Sequence, residues 1–215
     1  MKPTLVIVFL LATFVCANAQ TAQQAFIKET QATASQALGN LRELATKEQY
    51  KDLGFDSPDE AARATLGEPL SVFMVTLEDL RRYEPGQPAS NLLKPLERVI
   101  YPVAVNDQAK SSIVIEKTAE GWKPTTFGSP NLIKLLTDTR RKISADNSVT
   151  GDGQFVVQVP ALNAYFLGYQ ADGKLMLASV IDDADLKLSA GRAVVAEEVF
   201  ASLGPAAKAH DDSPR

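Results

Sequence analysis

The chain has 215 residues, with 22 basic and 26 acidic side chains, one histidine and one cysteine. A net charge of −4 offers none of the basic excess that tracks a nucleic-acid backbone. A single imidazole and a single thiol supply neither a structural zinc set nor an ordinary Cys-His or Ser-His-Asp machinery. The 45% hydrophobic content is enough for a packed core and argues against global disorder.

Residues 1–19 read MKPTLVIVFLLATFVCANA. Lys2 gives a short positive start, and residues 5–15 form an apolar run too short to span a bilayer. Ala17-Asn18-Ala19 fits a signal-peptidase site. The reading is a signal peptide cleaved after Ala19, a mature chain beginning at Gln20, and export to a bacterial periplasm or beyond. Cleavage removes Cys16, so the mature protein has no disulfide. Phe14 and Val15 before that cysteine suit lipid attachment badly. No later apolar run reaches membrane length, so no transmembrane segment is expected in the mature chain.

Residues 20–56 form the predicted N-terminal helical segment. Ile27, Thr30, Ala34, Ala37, Leu41 and Leu44 recur at three and four spacings, which puts them on one helical stripe. Gly39-Asn40 is the place where this segment would break in two. Ser57-Pro58-Asp59-Glu60 is a helix start with a capping box, the helix running to about Leu66 and stopping at Gly67. Residues 70–76 read as a strand. Thr76 then caps a short helix to Tyr83, and 84–89 is a loop with two prolines.

From Arg98 the pattern turns to strands at 99–105, 111–117 and 122–127, followed by a helix from Pro130 to about Lys142. Pro102 argues for an edge position or a bulge. After a polar loop at 144–153, strands follow at 155–159, 164–169 and 175–181, then a helix at 192–203 ended by Gly204-Pro205. Residues 205–215 read as a flexible tail. The order strand-strand-strand-helix is thus stated twice, over 98–142 and 154–203. Gly121 and Gly173 hold the same place in each copy. The fold class is α+β, one domain over 57–204. Its antiparallel sheet joins two three-stranded meanders, each followed by a helix, and both helices cover the same face. Leu132, Leu135 and Leu136 on the first helix, and Val195, Val199 and Leu203 on the second, are the expected core contacts. Leu135→Asp should therefore destabilise strongly.

Four constellations could carry chemistry. Asp182, Asp183 and Asp185 could act as paired acids or hold a metal, though turns alone account for them. The run Asp146 to Asp152 resembles a calcium loop but has Val157 where a bidentate Glu is needed. Gly128-Ser129-Pro130-Asn131 could bind an anion, with Lys123 nearby, but Ser129 capping its own helix is the simpler reading. Tyr165, Leu167 and Tyr169 share one face of a strand. They form an interaction surface if Phe166 takes the core side, and part of the core otherwise.

No catalytic, cofactor or metal residue is assigned, and no known family's motifs are present. The expected function is an exported, non-catalytic binding or interaction protein of the periplasm or envelope, its partner another envelope or secreted protein. A carboxylate-based hydrolase or lyase, and a structural envelope-associated protein, are the alternatives.

Overall fold

Strand-forming residues cluster in nine segments, and the computed structural model joins all nine in one sheet. It describes residues 13–146 and 153–210. Most of the expected signal core, the calcium-like run 147–152 and the tail from 211 lie outside the described residues.

The chain opens with helix α1 (Thr13–Leu44), which ends in a π-helical turn at Ala45–Gln49. Helix α2 (Pro58–Ala62) follows, then strands β1 (Thr65–Leu66) and β2 (Leu70–Met74) and helix α3 (Leu77–Arg82). Strands β3 (Lys94–Val105), β4 (Gln108–Thr118) and β5 (Gly121–Gly128) lead into α4 (Pro130–Asp146). Strands β6 (Phe155–Val159), β7 (Ala164–Ala171), β8 (Lys174–Ser179) and β9 (Ala193–Val195) lead into α5 (Ala196–Ala209).

The sheet order is β5-β4-β3-β2-β6-β7-β8-β9, with β1 paired to β3. All neighbours are antiparallel except β2 and β6, which run parallel at the centre, Ser71 beside Phe155 and Phe73 beside Val157. Each meander therefore carries one strand more than its sequence pattern suggested: β2 before the first and β9 after the second. The three-stranded units read from the sequence, β3 to β5 and β6 to β8, do not pair directly. They meet through β2, which bonds to β3 on one side and β6 on the other. Both halves run outward from this seam. A two-fold axis parallel to the strands, between β2 and β6, relates their strand orders and exchanges the two faces of the sheet.

That exchange overturns the expectation that both helices share a face. Side chains alternate across a strand, so Val156 and Val157 point to opposite sides. Val156 joins Leu70, Val72, Leu167 and Tyr169 in a core with Ile133, Leu136 and Ile143 of α4. Val157 joins Phe73, Phe155 and Phe166 in a core with Val199, Phe200 and Leu203 of α5 and Leu80 of α3. On the α5 side, the outer half of the sheet is covered by α1. There Ala34, Ala37 and Leu41 pack on Val99, Tyr101, Val103, Ile113 and Ile115. With both faces covered at the centre of the sheet, β6 is apolar and buried at three successive positions, Phe155, Val156 and Val157, rather than alternating.

Several local expectations hold at atomic detail. Ser57 accepts a hydrogen bond from the Glu60 N–H at 3.1 Å. Glu60 reaches back one residue beyond the cap, its Oε2 accepting from the Asp56 N–H at 2.6 Å. Thr76 accepts from the Asp79 N–H and so caps α3. Thr30, Ala34, Ala37 and Leu41 of the α1 stripe are fully buried. Gly39-Asn40 does not break α1, because both residues lie on its exposed side. Pro102 is inside the sheet, paired with Ser112. Its carbonyl accepts from the Gly67 N–H at 2.8 Å, so its nitrogen faces the break between β1 and β2.

Two helix readings are corrected. The buried stripe of α4 is Ile133, Leu136, Thr139 and Ile143, while Leu135 is 37% exposed. The helix at the C-terminal end does not stop at Gly204-Pro205. It continues to Ala209 with Pro205 inside it, and Ala207 is fully buried.

Candidate functional site

Helix α1 has a second stripe beside its buried one. Gln24, Lys28, Gln31 and Ser35 recur at four, three and four residues, next to Ile27, and all four are exposed. They form one wall of a groove of about 830 Å³. The opposite wall comes from the turn between β1 and β2, Leu66 to Pro69, and from Gly153-Gln154 at the entry to β6. Tyr101 of β3 lies at its base.

The base is fixed from within. Tyr101 is 3% exposed, and its hydroxyl shares a 2.9 Å hydrogen bond with the Thr30 hydroxyl. It also donates to the Ile27 carbonyl at 3.2 Å. Burial raises its phenol above the ordinary tyrosine range, against a smaller opposing pull from the Thr30 bond. These bonds lock α1 onto β3 at the point where the groove opens. On the outer side, Trp122 of β5 donates to Glu29 at 2.7 Å, packs edge-on against Phe26 and carries Lys117 over its ring. The helix is thus held on both sides of its N-terminal half.

Arg140 of α4 holds the far wall. Its Nε donates to the Gln154 Oε1 at 2.8 Å and its Nη1 to the Glu68 carbonyl at 3.1 Å. Burial pulls this guanidinium below its ordinary value, and the Glu68 charge opposes the shift. The starts of the two parallel central strands are therefore tied to the same helix side chain.

The wall on α1 is open for binding. Among the described residues, the side chains of Gln24, Lys28 and Gln31 have no hydrogen-bond or ion-pair partner. Among the described lining residues Glu68 is the one carboxylate, and none is a histidine. Lys28 and the buried Tyr101 are the other titratable groups of the described lining. Its polar groups can orient and hold a ligand.

The residues singled out from the sequence fall elsewhere. Leu167 and Tyr169 are buried, and Tyr165 is half-buried against the same core. The stripe faces α4, and Phe166 is buried under α5 on the other side. Strand β7 thus lies between the α4 and α5 layers, with Tyr165 the most accessible residue of the three. Asp182 and Asp183 are turn acceptors, Asp182 for the Ala190 N–H and Asp183 for the Leu186 N–H, both at 2.9 Å. Among the described residues, no three His, Cys, Asp or Glu side chains come together as a metal site. Ser129 takes a left-handed backbone with φ of 58° and its hydroxyl caps nothing among the described residues. Lys123 is ion-paired with Glu120 instead of facing that helix start. His210 ends α5, its carbonyl accepting from Arg81.

The apolar stripe of α1 reports how the helix packs and not that a groove lies beside it. The signal was present in the polar stripe alongside it, whose role appears only when Glu68 and Gln154 arrive from distant segments. No helix among the described residues is long and apolar enough to cross a membrane. Comparison with family models, characterised proteins and solved structures yields no match.

Proposed function

We propose that this is an exported, non-catalytic binding protein of the periplasm or cell envelope, and that its ligand occupies the groove beside α1. The observation that carries the reading is the groove itself. Three polar side chains without partners, Gln24, Lys28 and Gln31, face a cleft of about 830 Å³, a size typical of ligand sites. Signal cleavage after Ala19 spares the described lining, whose first residue is Gln24. Asp182 and Asp183 accept backbone hydrogen bonds in a turn away from this groove.

Ser35→Cys supplies the test. Once Cys16 has left with the signal, this becomes the chain's one thiol and carries an environment-sensitive fluorophore at the groove. Native envelope extract should change its emission saturably, and the change should disappear when the groove is filled by Gln31→Trp. An emission indifferent to every extract fraction overturns the assignment. Recovery of the untagged protein in the cytoplasm with Met1 retained overturns export.

A further inference from the structure

We propose that the groove beside α1 takes an extended peptide segment of a partner protein, with an acidic residue opposite Lys28. This rests on the reading of the groove as the binding site and names its class of ligand. The wall from residue 24 to residue 35 of α1 is about 16 Å long at the rise of an α-helix. That length matches about five residues of extended chain. A peptide backbone presents a donor and an acceptor at every residue, and a glutamine amide offers both. Gln24 and Gln31 lie on either side of Lys28 along the wall, so they can pair with the backbone while the ammonium reads a side chain. Lys28 has no ion-pair partner among the described residues, whereas the protein as a whole is acidic. A free cation on this wall favours an anionic residue in the ligand.

A saccharide fits the same groove less well. Sugars offer apolar C–H faces that binding sites cover with open aromatic rings. Among the described lining residues Tyr101 is the one aromatic, and it is buried with its hydroxyl engaged. Trp122 is held by Phe26, Glu29 and Lys117 outside the groove. A nucleic acid is disfavoured by the acidic balance.

The experiment pans a phage-displayed library of random dodecapeptides on the purified protein and, in parallel, on its Gln31→Trp and Lys28→Glu variants. A glycan array is run on the same three proteins. All substituted positions are exposed, and circular dichroism checks that each variant keeps its fold. The expected result is enrichment of peptides carrying an acidic residue on the native chain. Affinity should fall about tenfold or more with Gln31→Trp, and Lys28→Glu should shift selection toward basic residues. Equal enrichment on the native and Gln31→Trp proteins, or none on either, overturns the proposal. Glycan binding that Gln31→Trp abolishes also overturns the peptide class while leaving the groove as the binding site. Failure of the library together with a saturable response of the Ser35→Cys probe leads to that same separation.

Discussion

The ring of Phe155 on β6 covers Gly168 on β7. The two residues are direct partners in the antiparallel ladder, and a methyl group placed on Gly168 would lie 2.5 Å from the Phe155 Cε2 and 2.8 Å from its Cζ. The same ring packs edge-on against Phe73 of β2 with centroids 4.9 Å apart. One aromatic ring therefore bridges the parallel seam and the second half of the sheet, and it needs a glycine beneath it.

Gly168→Ala should accordingly destabilise the protein, by about 1–3 kcal/mol as for other overpacked cores. The cost is steric, because the backbone at 168 is not in the left-handed region. Adding Phe155→Leu should recover part of the loss, since the shorter side chain vacates the space over the glycine. Denaturant midpoints of the two single variants and the double variant test this. Additive losses would show that the ring and the glycine do not share that space.

Leu136→Asp and Leu135→Asp should differ sharply. Leu136 is fully buried beneath α4, and Leu135 is 37% exposed. An aspartate at 136 should cost about 3–5 kcal/mol, combining the lost apolar contacts with a buried charge. At 135 the change should stay near the range of ordinary surface substitutions, about 0.5 kcal/mol. Unfolding midpoints measured side by side decide it, and equal losses would place a different face of α4 against the sheet.

This pair also shows where sequence periodicity reaches its limit. On α1 the stripe is flanked by Gln, Lys and Ser, so spacing alone identifies the buried side. On α4, Leu132, Leu135 and Leu136 fit the helical repeat as well as Ile133, Leu136 and Ile143 do. Apolar residues lie on more than one side of that helix, and only the position of β6 and β7 decides between them. The caps were legible because Ser57 and Thr76 act on their immediate neighbours, as Asn106-Asp107 and Asp172-Gly173 do in the tight turns between paired strands. The parallel seam was not, because β2 and β6 are joined by hydrogen bonds between segments more than eighty residues apart. The groove has the same origin. Gln24 and Gln31 become a wall only when Gln154 is brought opposite them.

Tyr101→Phe should lose more stability at neutral pH than at high pH. The variant forfeits the hydrogen bonds to Thr30 and the Ile27 carbonyl, worth roughly 1–2 kcal/mol together. In the native protein, burial raises the phenol above 10.0, so folding favours its neutral form. That contribution is fully present below pH 10.0 and is lost as the pH rises through the folded value. Phenylalanine has no such proton to lose. The stability difference between the two proteins should therefore shrink from pH 8 to pH 11, measured by denaturant unfolding at each pH. A constant difference would mean that the hydroxyl is not held in a buried site.

Arg81 of α3 secures the last turn of α5. Its Nε donates to the Ala207 carbonyl at 2.9 Å and its Nη2 to the His210 carbonyl at 2.7 Å. These carbonyls belong to a helix end, where the final acceptors lack partners within the helix, and a cation there also meets the negative end of the dipole. The contact explains how α5 runs past Pro205, a residue with no N–H to give the Ala201 carbonyl. Packing of the fully buried Leu203 and Ala207 and the guanidinium together hold the turn that local sequence preference would end. Arg81→Met should cost roughly 2 kcal/mol, as for hydrogen bonds from a charged donor. Truncation after Gly204 should destabilise too, because it removes Ala207 and both acceptors. The two changes should be strongly non-additive, Arg81→Met costing less in the truncated chain, since the Ala207 and His210 carbonyls are already gone there. A full-sized additional loss in the truncated protein would show that Arg81 acts through other contacts, and that the last turn of α5 stands without it.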